Sequence, residues 1–159
     1  MLAAGGIVMR RKSKPLFAIV QLRKQRSWVL PKGKLNRNET AIAAARREAI
    51  EETGHDVTVH EFLGTLAYPS SGRPKIVKFW RMHAGRKPVG KLMTDVRAVR
   101  WLPLGQALKK LTHERERSFL EKIGPIARAH AAHPDRRKTA KTRPKRGDVV
   151  RGLLTWLRR

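Results

Sequence analysis

Apolar and polar positions divide the first 130 residues into segments with two different periodicities. Short apolar or alternating runs, bounded by turn residues, predict β-strands at residues 2–9, 16–22, 57–68, 74–84 and 96–102. The fourth of these follows the third across a Pro-Ser-Ser-Gly-Arg turn, which predicts a hairpin. Longer segments with apolar residues at helical spacing lie between and after the strands. This order predicts an α/β fold.

Residues 40–53 have the composition of a stable helix, with five alanines and no internal Pro or Gly. Asn38 and Thr40 are both candidate N-caps, and Gly54 is suited to the position just past the end. Two further helices are predicted at residues 103–111 and 112–130. Because proline lacks an amide proton, the second of these is expected to be interrupted at Gly124-Pro125.

The charge of the chain is strongly unbalanced. Its 159 residues include 37 Lys and Arg against 12 Asp and Glu, for a formal net charge of +25. Such a charge favours polyanionic substrates or partners. The sequence contains no cysteine, which excludes disulfides and thiolate metal sites and is compatible with the cytoplasmic location that we expect. We expect no transmembrane segment, because no apolar run approaches the ~18–20 residues needed.

The composition changes after residue 131, which predicts three regions. Residues 1–131 form the globular domain, residues 132–147 a basic linker, and residues 148–159 a short amphipathic segment. The last segment could dock on its own domain, on another subunit, on an anionic membrane surface or on nucleic acid. Docking on protein is favoured, so a homo-oligomer is one expectation, and nucleic-acid binding through the basic linker is the alternative.

Four of the twelve acidic residues fall between Glu39 and Glu52. On a helix, Glu48, Glu51 and Glu52 occupy one arc of about 100°. Like charges at this spacing cost about 0.2–0.5 kcal/mol per pair, and the last turn also faces the negative end of the helix dipole. A solvated charged face is the simpler interpretation of one Glu-Glu pair. Three clustered glutamates in a cationic chain instead indicate a divalent metal, Mg²⁺ or the alternative Mn²⁺.

The same stretch carries a family motif. Gly33, five residues, Glu39, seven residues and then Arg-Glu-Ala-Ile-Glu-Glu-Thr-Gly at 47–54 resembles the Nudix hydrolase signature G-x5-E-x7-R-E-U-x-E-E-x-G-U, where U is a bulky aliphatic residue. Every charged and glycine position matches, whereas Ala49 and His55 depart from the U positions. The resemblance implies a Nudix-type α/β/α sandwich with a mixed β-sheet, followed here by the basic C-terminal extension.

The resemblance also implies roles for the residues of this motif. Glu48 and Glu52 are the first expected metal ligands, followed by Glu51, while the backbone at Gly33 approaches the metal. Glu51 and Glu52 are both candidates for the general base, and the sequence does not separate base from ligand. Two further residues, Glu39 and Arg47, are expected to brace the loop against the helix beside the catalytic glutamates.

Substrate contacts are predicted outside the helix. Trp-Val-Leu-Pro-Lys-Gly-Lys at 28–34 resembles the subset of Nudix enzymes that includes diadenosine polyphosphate hydrolases and MutT-like proteins. Lys32, Lys34, Tyr68 and Lys75 are the expected phosphate or base contacts. A family segment written Glu-x-x-Glu-x-x-Trp is represented here with Asp95 and Ala98 in place of its acids, so one late acidic group is absent or shortened.

The predicted function is therefore that of a Mg²⁺-dependent pyrophosphohydrolase. It would cleave a phosphoanhydride bond in a nucleoside diphosphate-linked substrate, with a dinucleoside polyphosphate or a nucleoside triphosphate favoured. Two alternatives remain open at this point. One is a diphosphoinositol polyphosphate phosphohydrolase, and the other is an RNA-directed pyrophosphohydrolase or nucleic-acid-binding protein that uses the basic tail.

Overall fold

The computed structural model of the chain describes residues 1–133. The predicted basic linker and amphipathic segment therefore lie outside the described residues, apart from Ala132 and His133. The described region contains strands β1 (Leu2–Arg10), β2 (Leu16–Leu22), β3 (Trp28–Val29), β4 (Lys32–Lys34), β5 (His55–Ser70), β6 (Arg73–Pro88) and β7 (Val96–Leu102). Its helices are α1 (Ala41–Thr53), α2 (Leu104–Lys110) and α3 (Glu114–Ala132).

The strands form one mixed sheet in the order β3-β2-β1-β6-β5, in which β4 also pairs with β1 and β7 with β2. β1 and β6 are parallel, whereas the other pairs are antiparallel. β1 is central because it pairs with β6 along nearly its whole length, with β4 near its beginning and with β2 at its end. The predicted mixed sheet is confirmed.

Helices cover both faces of this sheet, as the predicted sandwich requires. Three buried alanines of α1 pack on β1 and β2 in one core, which contains Ala4, Val8, Ala18, Ala44, Ala45 and Ala49. Ala49, which departs from the bulky aliphatic of the motif, is fully buried there and permits a close approach of helix and sheet. The second core lies on the opposite face, where Leu120 and Ile123 of α3 pack with Ile7 and Phe79.

Two boundaries differ from the sequence-based expectation. The hairpin strands are longer than predicted and meet at a tight turn in which Ser71 and Gly72 both have positive φ. α3 continues through Pro125 without the predicted interruption. Its packing explains the continuity, since a Cβ on Gly124 would lie 2.6 Å from Leu104 Cδ1, so the glycine lets α2 and α3 approach closely. Tertiary contact thus outweighs the local cost of Pro125.

No helix among residues 1–133 is long and apolar enough to cross a membrane.

Candidate active site

The glutamate-bearing helix α1 is fixed at both ends by local interactions. The Thr40 hydroxyl accepts a hydrogen bond from the Ala43 amide at 3.3 Å, so Thr40 is the N-cap. Gly54 ends the helix with φ of 73°, a conformation that favours glycine. The last turns of α1 lie against β4. Glu48 and Glu52 are buried there, each with 6% of its surface exposed. Glu51 is oriented further outward, with 38% of its side chain exposed.

Gly33 is required by the position of the Glu48 carboxylate. A Cβ at Gly33 would lie 2.1 Å from both Cδ and Oε1 of Glu48, well inside van der Waals contact. The backbone of β4 and a buried carboxylate of α1 are therefore in direct apposition. Any side chain at position 33 must displace Glu48, whether or not a metal is bound.

Arg47 connects the loop before α1 to the glutamates. Its guanidinium donates to both carboxylate oxygens of Glu39, at 2.8 and 2.9 Å, and to the Lys34 carbonyl at 3.0 Å. It also donates to Glu48 at 2.7 Å and to Glu51 at 3.2 Å. The hydrogen bond from Arg47, with a second from the Asn36 amide, lowers the pKa of Glu39 to about 2. Arg47 therefore links the loop at Glu39 to the glutamates of α1, and its bracing role in the site stays a prediction.

The two buried glutamates are electrostatically unfavourable in the metal-free protein. Burial raises the pKa of Glu52 to about 8, although its Oε2 accepts a hydrogen bond from the Lys32 amide at 2.9 Å. Burial likewise raises the pKa of Glu48, against the opposing effect of Arg47. The charged forms of both side chains are thus penalised by lost hydration, and a bound cation would relieve that penalty.

Lys32 does not present a free ammonium to solvent. Its Nζ lies 2.8 Å from Oε1 of Glu116, with 9% of the lysine side chain and 1% of the glutamate side chain exposed. The other oxygen of Glu116 accepts from the Leu30 amide at 2.7 Å. Glu116 therefore holds the chain on both sides of Pro31. Glu116 is not among the site residues predicted from the sequence, where its only local signal is an acid in the first turn of α3.

The carboxylates provide a donor set suited to a hard divalent cation. Within residues 1–133, no group of three or more His, Cys, Asp or Glu side chains already has a metal-binding arrangement. Two buried carboxylates, an adjacent third and a side-chain-free backbone at Gly33 nevertheless supply the oxygen ligands and the space that Mg²⁺ prefers. The residues present fit a divalent metal site.

The remaining predicted contacts gather at the beginning of β1. Ala3 pairs with Lys34 on β4 and with Val77 on β6, while Tyr68 pairs with Lys75 across the neighbouring hairpin. The Lys75 ammonium lies 5.9 Å from the centre of the Tyr68 ring. Arg115 of α3, which was not predicted, lies over the same ring at 4.0 Å. Tyr68 is thus an aromatic surface flanked by two cations.

The departures from the family pattern at Asp95, Ala98 and His55 have different structural settings. Ala98 lies on β7 opposite Gln21, so this position supplies no carboxylate. Asp95 is at a turn, where its carbonyl accepts from the Arg23 amide at 2.7 Å. His55 is buried rather than solvated, and its Nε2 lies 2.6 Å from a guanidinium nitrogen of Arg10.

Comparison with known proteins decides the family. A model of the NUDIX domain matches residues 1–123. The chain belongs to the Nudix hydrolases. The predicted resemblance, and with it the assignment to a class of hydrolases, is confirmed at the level of the family.

Two curated proteins show which Nudix enzymes are similar. An 8-oxo-(d)GTP phosphatase of Mycolicibacterium smegmatis is 34% identical over 108 residues, covering 67% of this chain. The match spans 33% of that protein, so the chain corresponds to about a third of it. An asymmetrical bis(5'-nucleosyl)-tetraphosphatase of Caenorhabditis elegans is 32% identical over 127 residues, covering 76% of this chain and 92% of that protein.

Solved structures agree with this Nudix assignment. The crystal structure of a C. elegans Ap4A hydrolase binary complex has a TM-score of 0.71 at 28% identity, covering 79% of this chain and 96% of that chain. The MutT protein of Methanosarcina mazei Go1 has a TM-score of 0.67 at 20% identity, over 79% of this chain and 94% of that chain. The second comparison shows the shared fold.

Proposed function

We propose that this Nudix protein is a divalent-metal-dependent pyrophosphohydrolase. Its substrate is a nucleoside diphosphate-linked phosphoanhydride, either a dinucleoside polyphosphate or a nucleoside triphosphate. The metal is Mg²⁺, with Mn²⁺ as the alternative, and Glu48, Glu51 and Glu52 hold it beside Gly33. A bound divalent cation supplies charge neutralisation of the phosphates and lowers the pKa of a water ligand.

The observation that carries the substrate class is the aromatic surface at Tyr68. An aromatic ring can stack on a base, while Lys75 and Arg115, at 5.9 and 4.0 Å from the ring centre, offer positive charge to phosphates. From β4 to β5, three interstrand spacings amount to about 14 Å, which a nucleotide with several phosphates can span. A diphosphoinositol carries no base, so this surface favours a nucleotide.

The chain itself contributes orientation and proton transfer. Arg47 keeps Glu48 and Glu51 in place through hydrogen bonds and holds the loop at Glu39. Lys34 pairs with Ala3, which also pairs with Val77, so Lys34 lies at the same end of the sheet as Lys75. Lys32 acts on the site indirectly. Its ammonium is paired with Glu116, and its backbone amide donates a hydrogen bond to Glu52.

Glu51 and Glu52 both remain candidates for the general base, and they differ in environment. Glu51 is partly exposed and can reach water directly. Glu52 is buried, and burial raises its pKa to about 8 in the absence of a cation, so a bound metal would be needed to keep it ionised at neutral pH. A general base must also reach the attacking water, and Glu51 is the more exposed of the two.

The relatives support two nucleotide substrates, named for those proteins as 8-oxo-(d)GTP and bis(5'-nucleosyl)-tetraphosphate. A hydrolysis panel with Mg²⁺ tests the proposal across dinucleoside polyphosphates, nucleoside triphosphates with oxidised guanine forms, nucleotide sugars, diphosphoinositols and 5′-triphosphate RNA. Fastest turnover of one of the first two classes is expected. Turnover restricted to diphosphoinositols or RNA would contradict it. The cytoplasmic location, self-association and nucleic-acid binding through the basic tail stay predictions.

A further inference from the structure

A second concave region lies at the opposite end of β1 from Gly33. It consists of two adjoining cavities of about 350 and 500 Å³, which share Arg10, Arg11, Lys12 and His83. Clefts of this size are in the range that binds small molecules. β1 extends five residues from Gly5, the partner of Lys32, to Arg10, which is about 17 Å at strand spacing. The cavities are therefore separate from the glutamates.

The walls of the two cavities differ in chemistry. The smaller cavity has an apolar part formed by Met9, Pro15, Ala131 and Ala132, with Arg128 at its edge. The larger one is lined by Arg86 in addition to the shared cations and Ala84. Among residues 1–133, no Asp or Glu lines either cavity. A concentration of cations without neighbouring carboxylates repels itself unless an anion is present.

Arg10 is held in place at the base of this region rather than extending freely into solvent. Its guanidinium lies 3.9 Å from the centre of the Trp101 ring, and its Nη2 donates to Nε2 of His55 at 2.6 Å. The other ring nitrogen of His55 lies 3.0 Å from the Gly85 carbonyl, to which it donates. His55 is thereby fixed as the acceptor for Arg10. This is a role that the aliphatic residue of the Nudix motif could not fill.

Two buried nitrogens at the cavities lack partners. Nε of Arg10 and Nε2 of His83 have no hydrogen-bond partner among residues 1–133. Both residues line both cavities. Leaving a buried donor unpaired costs about 1–3 kcal/mol, so a ligand oxygen that reached Arg10 Nε, or His83 Nε2 in the tautomer that carries its proton there, would recover that cost.

We propose that these adjoining cavities form a second nucleotide-binding site, distinct from the catalytic one. The phosphate groups of a nucleoside mono- or diphosphate occupy the cationic cavity, and the base lies against the apolar wall. Guanidinium groups bind phosphate oxygens through paired hydrogen bonds, which suits Arg10, Arg11 and Arg86. The apolar wall favours a nucleotide over inorganic phosphate, since phosphate alone would leave it uncovered.

Calorimetry on the full chain in EDTA, with ADP as the probe, tests this site. Without a divalent cation the catalytic glutamates repel ADP, and the positions of the amide shifts distinguish binding at the cavities from binding at the cations around Tyr68. We expect saturable one-to-one binding that is about tenfold tighter than for adenosine or for pyrophosphate. Amide shifts on addition of ADP should concentrate at residues 9–12 and 83–86 rather than at 32–34 and 48–54.

Matched variants separate a built site from general attraction. Arg11→Gln/Arg86→Gln removes two exposed cavity cations, and Arg97→Gln/Arg100→Gln removes two exposed cations of β7 that line neither cavity. At about 0.15 M ionic strength, the Arg11→Gln/Arg86→Gln variant should have a Kd for ADP about tenfold higher than the parent protein. The Arg97→Gln/Arg100→Gln variant should differ from the parent by less than about threefold. His55→Leu, which releases Arg10, should also weaken ADP binding.

Three results would overturn the proposal. The first is the absence of saturable ADP binding in EDTA. The second is an equal loss of affinity in both double variants, which would indicate unspecific attraction by the net charge. The third is amide shifts confined to the catalytic residues, or tighter binding of a single-stranded RNA that is equally sensitive to both pairs of substitutions. Hydrolysis by Arg11→Gln/Arg86→Gln is measured separately, so failure here is distinguishable from failure of the proposed catalytic function.

Discussion

Glu116 and Lys32 form a buried ion pair that joins α3 to β4, the short strand that contains Gly33. Nζ and Oε1 are 2.8 Å apart, and the second carboxylate oxygen accepts from the Leu30 amide. The Lys32 amide in turn donates to Glu52. The position of Glu52, a proposed metal ligand, is therefore connected, through two hydrogen bonds and one ion pair, to a helix on the opposite face of the sheet.

Glu116→Gln should destabilise the protein. The substitution keeps an acceptor for the Leu30 amide but leaves the Lys32 ammonium buried without a counter-charge. Breaking a buried pair in this way costs about 3–5 kcal/mol, measured as the free energy of unfolding in urea. The double variant Lys32→Met/Glu116→Gln should recover part of the loss because it removes the buried charge. Equal urea midpoints for the parent protein and Glu116→Gln would show that the pair is unimportant.

Gly33→Ala should impair the site while the fold is preserved. The added methyl group would lie 2.1 Å from the Glu48 carboxylate, which must then move. Displacing a ligand through such a contact typically lowers metal affinity or activity about 10- to 100-fold. The measurements are Mg²⁺ affinity by calorimetry and the rate of hydrolysis, with circular dichroism to check the fold.

Gly105→Ala is the matched control for this substitution. A Cβ at Gly105 meets nothing within 4 Å, so Mg²⁺ affinity and rate should be unchanged. If Gly33→Ala behaves like Gly105→Ala, the close contact between β4 and Glu48 does not govern the site.

The local parts of the site could be predicted from the sequence, and the distant ones could not. The Thr40 cap, the Gly54 terminus and the arc of glutamates follow from residue types within one helix. Glu116 carries no such signal, because its importance depends on Lys32 from a distant part of the chain. The expected interruption of α3 at Pro125 was wrong for the same reason, because the close packing of Gly124 against α2 keeps the helix continuous. The departure at His55 was visible, but its partner Arg10 was not.

Stability at low pH should depend on Glu61. Burial opposes ionisation of this side chain, but hydrogen bonds from Arg81 and His130 and one backbone bond outweigh burial and lower its pKa to about 2. Because the folded pKa is below the ordinary glutamate value of 4.5, the stabilisation is present above about pH 4.5 and is lost as the pH falls towards 2.

Glu61→Gln should therefore lose less stability than the parent protein as the pH falls from about 4.5 to 2. The measured quantity is the melting temperature in thermal unfolding at each pH. The exposed Glu121→Gln variant is the control for loss of one negative charge. A Glu61→Gln protein with the same acid dependence as the control would show that the contact with Arg81 adds no pH-dependent stability.

The most direct measurement of the central claim is the Mg²⁺ dependence of phosphoanhydride hydrolysis by the parent protein and by Glu52→Gln. The amide side chain preserves size and can still accept from the Lys32 amide, so the fold should remain. The account predicts Mg²⁺-dependent cleavage of a dinucleoside tetraphosphate or a nucleoside triphosphate, reduced at least about a hundredfold in Glu52→Gln. Unchanged turnover in Glu52→Gln, with the fold intact, would contradict the assignment of the metal and the reaction to this helix.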